Sequence, residues 1–143
     1  MVNARNKGRR GEREVIDEIK ELLGIQLEVN YSQTFGGGHD LLGLDGFAIE
    51  VKRRKVITPG DLKNFWEQTT TQARKVRLLP CLWFRADRSD WRVMIANTYA
   101  IKNNLFEMED FNIAMNISTE LFASLIREEY GLVTRDIVTQ QHQ

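Results

Sequence analysis

Apolar residues recur at helical spacing near the start of the chain, where Val15, Ile16, Ile19, Leu22 and Leu23 fall on one face and Gly24 follows them. The pattern predicts a helix over residues 11–23. Residues 25–31 read as a strand, and 32–39, "SQTFGGGH", as a loop in which three successive glycines permit close backbone approach. Two apolar runs then flank Leu44, Asp45 and Gly46, which predicts a hairpin. Thr58 and Pro59 suit a helix cap and a first helical position, opening a helix over about residues 60–76 with Leu62, Phe65, Trp66, Thr69, Ala73 and Val76 on its apolar face. Residues 79–85 and 91–96 predict a second hairpin around the polar stretch "ADRSD". Beyond Asn97 the pattern weakens, apart from a helix at about residues 119–130. The order α-β-β-β-α-β-β implies an α/β fold, a mixed sheet with helices against it.

A chain of 143 residues fits one domain with a core of its own. The single Cys81 excludes an internal disulfide and lies in an apolar run, which places it as a buried thiol. Trp66, Trp83 and Trp91 each sit among other apolar residues and are expected in the core or at its rim. No apolar stretch approaches the ~20 residues that span a bilayer, and the polar start 1–10 lacks the apolar segment of a signal peptide, so a cytoplasmic protein is expected.

The net charge is zero, but it is unevenly spread. Residues 1–92 hold 17 Lys and Arg against 13 Asp and Glu, and residues 93–143 hold 3 against 7. The basic residues form three clusters: Arg5, Lys7, Arg9, Arg10 and Arg13; then 52–55; then Arg74, Lys75 and Arg77. Each alone reads as a solvated edge. Three of them flanking one set of carboxylates read as a phosphate track.

Those carboxylates centre on the first hairpin. Alternation along a strand puts Glu50 and Lys52 on one face and Ile49 and Val51 on the other. A two-residue Asp45-Gly46 loop would leave Asp40 on the opposite face from Glu50. A three-residue loop, with Gly46 at positive φ, sets Asp40 directly opposite Glu50, and this register is favoured because it gathers the ionic groups. Glu12 extends the buried stripe of the first helix by one turn, and Glu12, Asp40 and Glu50 together make an acidic pocket that calls for a cation. Hard oxygen donors without a set of Cys or His point to Mg²⁺, with Mn²⁺ able to substitute. Such an ion lowers the pKa of a bound water and polarises a phosphodiester, while Lys52 orients the attacking water or offsets phosphate charge. A Glu-x-Lys pair alone is a common surface ion pair; the four-residue set is what specifies chemistry.

The stretches "KGRRGEREV" (7–15), "SQTFGGGHDLLGL" (32–44), "FAIEVKRR" (47–54) and "FWEQTTTQARK" (65–75) resemble the PD-(D/E)XK nuclease superfamily, and within it the archaeal and phage-encoded Holliday junction resolvases. The resemblance covers residues 5–97. It implies a single-domain restriction-endonuclease-like mixed sheet flanked by helices, with residues 1–97 as nuclease core; 98–143, which the resemblance does not reach, is expected from its own pattern as a partly helical extension packed on the core or at a dimer interface. Its first-helix glutamate falls on Glu12, its metal aspartate on Asp40 and its Glu-x-Lys pair on Glu50 and Lys52; His39 stands where the motif has proline. A glutamine is often placed near the site on the second helix, which makes Gln72 an auxiliary catalytic residue. DNA contacts are expected from Lys7, Arg9, Arg10, Ser32, Arg53, Arg54, Lys55, Gln68 and Lys75.

The activity so implied is a Mg²⁺-dependent DNA endonuclease, a Holliday junction resolvase acting as a homodimer on four-way junctions in a prokaryotic cell or a phage-infected host. The alternatives are a DNA-binding accessory module without turnover and a restriction-type nuclease. The acidic segment holding Phe106, Phe111, Ile113, Met115, Ile117, Leu121, Phe122, Leu125 and Ile126 offers its apolar side chains equally to a dimer interface or to the monomer's own sheet.

Overall fold

The computed structural model describes residues 4–31 and 38–131. A long helix α1 (Ala4–Leu23) precedes three strands, β1 (Glu28–Val29), β2 (Leu41–Leu42) and β3 (Phe47–Arg54). Helix α2 (Pro59–Val76) leads to β4 (Leu79–Ala86) and β5 (Arg92–Ala96). A short helix α3 (Thr98–Lys102), strand β6 (Ala114–Ser118) and helix α4 (Thr119–Leu125) complete the order, with a wider π turn over Ile126–Gly131. The six strands lie side by side in chain order. Among the described residues only β3 and β4 run parallel, so the sheet is mixed, and α2 is the crossover between them.

Helix α2 starts where its sequence signals say. Thr58 accepts from the Asp61 N–H, and the Asp61 carboxylate accepts from the Thr58 N–H, a reciprocal capping box with Pro59 as the first helical residue. Helix α1 runs back to Ala4, beyond the buried stripe that predicted it, because no proline interrupts the polar turns before Gly11. The strand expected over 25–31 keeps only two ladder residues. Asn30 leaves the regular pairing to donate its backbone N–H to the Asp40 carbonyl and its side-chain amide to the His39 carbonyl, both at 2.9 Å.

The sheet divides two apolar layers. On one face Val15 and Ile19 of α1 and Phe122 and Ile126 of the C-terminal part pack with Phe47, Ile49, Val51, Trp83 and Val93. On the other, Phe65 and Trp66 of α2 pack with Leu82, Phe84 and Met94. Trp66 and Trp83 are fully buried, Trp91 nearly so, and Cys81 is buried with its thiol pushed upward by desolvation, as expected from the sequence.

The boundary at residue 97 does not divide the fold. Strand β6 extends the sheet by pairing with β5, and Phe122 stacks edge-on against Phe47 and Trp83 at 6.0 and 5.7 Å. Ile113, Phe122 and Ile126, which the sequence offered to a dimer interface, are consumed by the monomer's own core; Leu121 and Phe106 are the large apolar side chains of that group still exposed. Among the described residues no helix is long and apolar enough to cross a membrane.

Candidate active site

Strand β3 carries the site by simple alternation. Phe47, Ile49 and Val51 face α1, whereas Glu50 and Lys52 face α2. The turn before it is closed by the Phe47 N–H donating to the Leu44 carbonyl at 3.2 Å, with Gly46 at φ 85°, a backbone region open to glycine at little cost. Leu41 stands opposite Ile49, so the residue before it, Asp40, comes alongside Glu50. This is the longer-loop register.

Asp40 sits where β2 has not yet begun, and its fixings are unusual. Its N–H donates to the Ile49 carbonyl at 2.8 Å, one position off the ladder, and its carboxylate Oδ2 accepts from the Val51 N–H at 2.8 Å. The side chain thereby supplies the acceptor that a longer β2 would have supplied from backbone. With Asn30 holding the Asp40 and His39 carbonyls, the carboxylate is fixed from both sides.

Glu50 is buried, with 6 % of its surface exposed. Desolvation is the main cause that pushes its pKa up to about 9; the Asp40 charge and a hydrogen bond in which the protonated Glu50 carboxyl donates to Asp40 add to it, Lys52 opposes, and Glu12 adds a little. Glu12 is half-buried on α1, raised to about 7 by desolvation and then by Asp40, with Arg9 pulling the other way. With Glu12 and Glu50 both raised beside the Asp40 charge, this is a place short of positive charge. Lys52 supplies part of it and is itself steadied, its Nζ 5.5 Å from the Phe65 ring centroid.

Of the three predicted ligands, Asp40 and Glu50 meet directly. Glu12 is within electrostatic reach, but among the described residues no group of three or more His, Cys, Asp or Glu side chains stands close enough to hold an ion on protein donors alone. The donor set fits a hard cation that takes one or two carboxylates and completes its shell with water and substrate phosphate, the habit of Mg²⁺. His39 is buried with its Nδ1 lacking a hydrogen-bond partner, and desolvation lowers its pKa.

The basic residues separate into two groups. Arg9 and Arg10 are exposed on α1 and, with Arg13, line a cleft that includes Glu12. Arg54 and Lys55 are exposed at the end of β3, the Arg54 guanidinium 5.4 Å from the Phe65 centroid beside Lys52. Arg53 does not join them. Alternation turns it toward α1, where it is 14 % exposed and its Nη1 lies 3.2 Å from Glu14; Arg85 donates to the same carboxylate at 2.7 Å. Gln68 and Lys75 are exposed on α2, and Gln72 is half-buried with its Oε1 enclosed and without a hydrogen-bond partner. The Lys7 side chain and Ser32 lie outside the described residues.

Four residues that matter to this geometry were not singled out as site residues from the sequence. Asn30 clamps the Asp40 loop, Phe65 underlies Lys52 and Arg54, and Glu14 removes Arg53 from the basic track. Gly11 is the fourth. A Cβ there would lie 3.3 Å from the Arg53 Cβ and 3.4 Å from Val51 Cγ1, so its absence lets α1 approach β3 next to Glu12. Only Phe65 and Gly11 leave a trace in the sequence, as a helix-face aromatic and as a glycine within an otherwise regular helix.

The family described as "Phage putative PDDEXK endonuclease" matches residues 3–134. Its span takes in most of the segment after residue 97, in keeping with the place of β6 and α4 in the sheet and core. Protein D14 of Escherichia phage T5 is 28 % identical over 124 residues, covering 73 % of this chain and 78 % of its own length. Among solved structures, Hjc of Archaeoglobus fulgidus, a Holliday junction resolvase, shares 26 % identity over 61 % of this chain and 70 % of its own, with a TM-score of 0.43.

Proposed function

The chain belongs to this phage PDDEXK endonuclease family, a nuclease family whose α/β fold it shows, and we propose that it is a Mg²⁺-dependent Holliday junction resolvase. The observation that carries the nuclease chemistry is the meeting of Asp40 with the buried Glu50, beside Lys52 and within reach of Glu12. Asp40 and Glu50 would hold the cation, with Glu12, within electrostatic reach of both, to orient water. A divalent ion in that place supplies the acidification of a water and the neutralisation of phosphate charge that hydrolysis requires. Lys52 projects on the same face as Glu50, where an ammonium offsets charge developing on the phosphorus. Gln72 is the auxiliary group on α2. Arg9, Arg10, Arg54 and Lys55 hold the DNA backbone on either side, with Lys7, Ser32, Gln68 and Lys75 at the margins.

The junction preference rests on the motif resemblance of residues 7–75 to resolvases and on symmetry. A four-way junction has two-fold related arms, and paired incisions call for two copies of a site that one chain supplies once, so the active form is a homodimer. It acts in the cytoplasm of a phage-infected cell. Incubation of the purified protein with an immobile four-way junction, nicked duplex and linear duplex, in Mg²⁺ and in chelator, tests the reading, with light scattering for the oligomeric state. Metal-dependent symmetric cuts in the junction by a dimer are expected. A monomer that cuts linear duplex as readily is a nuclease and not a resolvase, and a protein that binds DNA but cuts none is an accessory module.

A further inference from the structure

Beside the carboxylates, α1 and β1 enclose an open cleft of about 510 Å³ lined by Arg9, Arg10, Glu12, Arg13, Val29 and Tyr31. Its composition is that of a nucleotide site. Three guanidinium groups against one carboxylate give it a positive surplus, and arginine's planar fork matches phosphate oxygens two at a time. Tyr31, 81 % exposed as a residue, lines the same cleft, and Val29 gives the wall an apolar part. The volume falls in the range of small-ligand sites. Glu12 ties the cleft to the chemistry, since it lines this wall and also feels the charge of Asp40.

We propose that this cleft receives a single unpaired nucleotide of the DNA, with its phosphates on Arg9, Arg10 and Arg13 and its base against Tyr31. The inference rests on the nuclease reading and narrows its substrate class: the protein prefers DNA with an unpaired nucleotide at the cleft, next to the strand being cut, over uninterrupted duplex. Stacking on an aromatic ring tolerates any base, because every base has a π-face, so the preference is for an unpaired state and not for a sequence. The arginines act on the phosphates and contribute whether or not a base is present.

The two parts separate in a binding cycle on the full chain, read by fluorescence anisotropy. One labelled duplex carries a one-nucleotide bulge, and its twin carries the same bulge without the base. The wild type is expected to bind the base-bearing bulge about tenfold tighter than the abasic one, the size of one base-on-aromatic stack. Tyr31→Ala should abolish that difference and Tyr31→Phe should keep it, while Arg13→Gln weakens both DNAs by the same factor. Equal binding of the two DNAs by the wild type, or an equal loss on both in Tyr31→Ala, overturns the proposal. Competition by a free nucleoside monophosphate as effective as the bulged strand also overturns it, since the cleft is then a small-molecule site. The same DNAs incubated with Mg²⁺ keep the underlying reading separate: no cleavage alongside an intact cycle removes the nuclease and leaves the cleft, and cleavage without the cycle does the reverse.

Discussion

Helix α1 and strand β3 build two charge clusters from neighbouring residues, and the clusters have opposite characters. Glu14 of α1 accepts from Arg85 and pairs with Arg53, whose Nε also lies 4.0 Å from Asp87; acids and bases there cancel. Two residues earlier on the same helix, Glu12 looks toward Asp40 and Glu50, and there acids accumulate until the pKa values of Glu12 and Glu50 rise. The first cluster is complete in itself and holds α1 to the sheet. The second is complete only with a cation or protons. A residue's type and element do not decide between structure and chemistry; what decides is whether its partners are already within the fold.

The comparison breaks most visibly at Asp40. Asp40→Asn keeps an oxygen that accepts from the Val51 N–H, so the fold should stand, but it removes an anionic donor from the acidic cluster. Cleavage is expected to fall by more than the ~10–100-fold that the loss of an outer-shell partner costs, with DNA affinity in chelator unchanged. Calorimetric titration with Mn²⁺ checks the cause: a mutant that binds the ion like the wild type assigns the donor role elsewhere.

Glu50→Gln sharpens the contrast by making activity and stability move in opposite directions. Folding raises the pKa of Glu50 from 4.5 to about 9 and that of Glu12 from 4.5 to about 7, so the folded chain holds more protons than the unfolded chain across that window. Stability is therefore full below pH 4.5 and declines as pH rises toward 9. In chelator, the wild-type melting temperature should fall from pH 5 to pH 9. In Glu50→Gln the decline should pass through pH 7, where Glu12 is half ionised, and end at about pH 8, and at that pH the variant should melt above the wild type while cutting nothing. Mg²⁺ at pH 8 should raise the wild-type melting temperature and leave the variant's unchanged. A flat wild-type profile would contradict the raised carboxyl pKa values.

The acidic cluster was legible in the sequence because its parts are set by short-range rules. Alternation fixes the face of Glu50 and Lys52 and helical spacing fixes Glu12, while Gly46 ends either loop length and the register that brings Asp40 alongside was favoured because it gathers the ionic groups. The neutral cluster was not legible. Arg85 meets Glu14 across 71 residues, and the parallel pairing of β3 with β4 that brings Arg53 and Arg85 side by side is a tertiary fact. Arg53 therefore read as one more member of a basic run. Strand β6 escaped for a different reason: 114–118, "AMNIS", is short, weakly alternating and at the sheet edge, so its pairing with β5 decides its conformation more than its own composition does.

Glu14→Ala tests the neutral cluster directly. It leaves the Arg53 and Arg85 guanidinium groups, both largely enclosed, without their shared acceptor, and a loss of about 1–3 kcal/mol in unfolding free energy is expected. Denaturant titration measures it. A loss of catalysis out of proportion to the loss of folded protein would mean that this cluster also positions Glu12, which sits two residues away and over the same close helix–strand approach at Gly11.

The smallest effect concerns how DNA affinity depends on salt, and it separates arginines that look alike in the sequence. Arg9, Arg10 and Arg54 are exposed, whereas Arg53 is paired with Glu14. Neutralising an arginine that touches phosphate releases one fewer counterion on binding, so the slope of log affinity against log salt should flatten by up to ~0.9 for each phosphate no longer paired with a guanidinium. Glutamine at Arg9, Arg10 and Arg54 together should flatten it by up to ~2.7, the sum for three phosphates, and weaken all DNA sequences alike. Arg53→Gln should leave the slope where it was, because its charge is already answered by Glu14, and should show itself only as lost stability. A slope that flattens equally for Arg53 would mean that this side chain leaves Glu14 when DNA arrives, and the neutral cluster would then be a reserve of the basic track and not its counterpart.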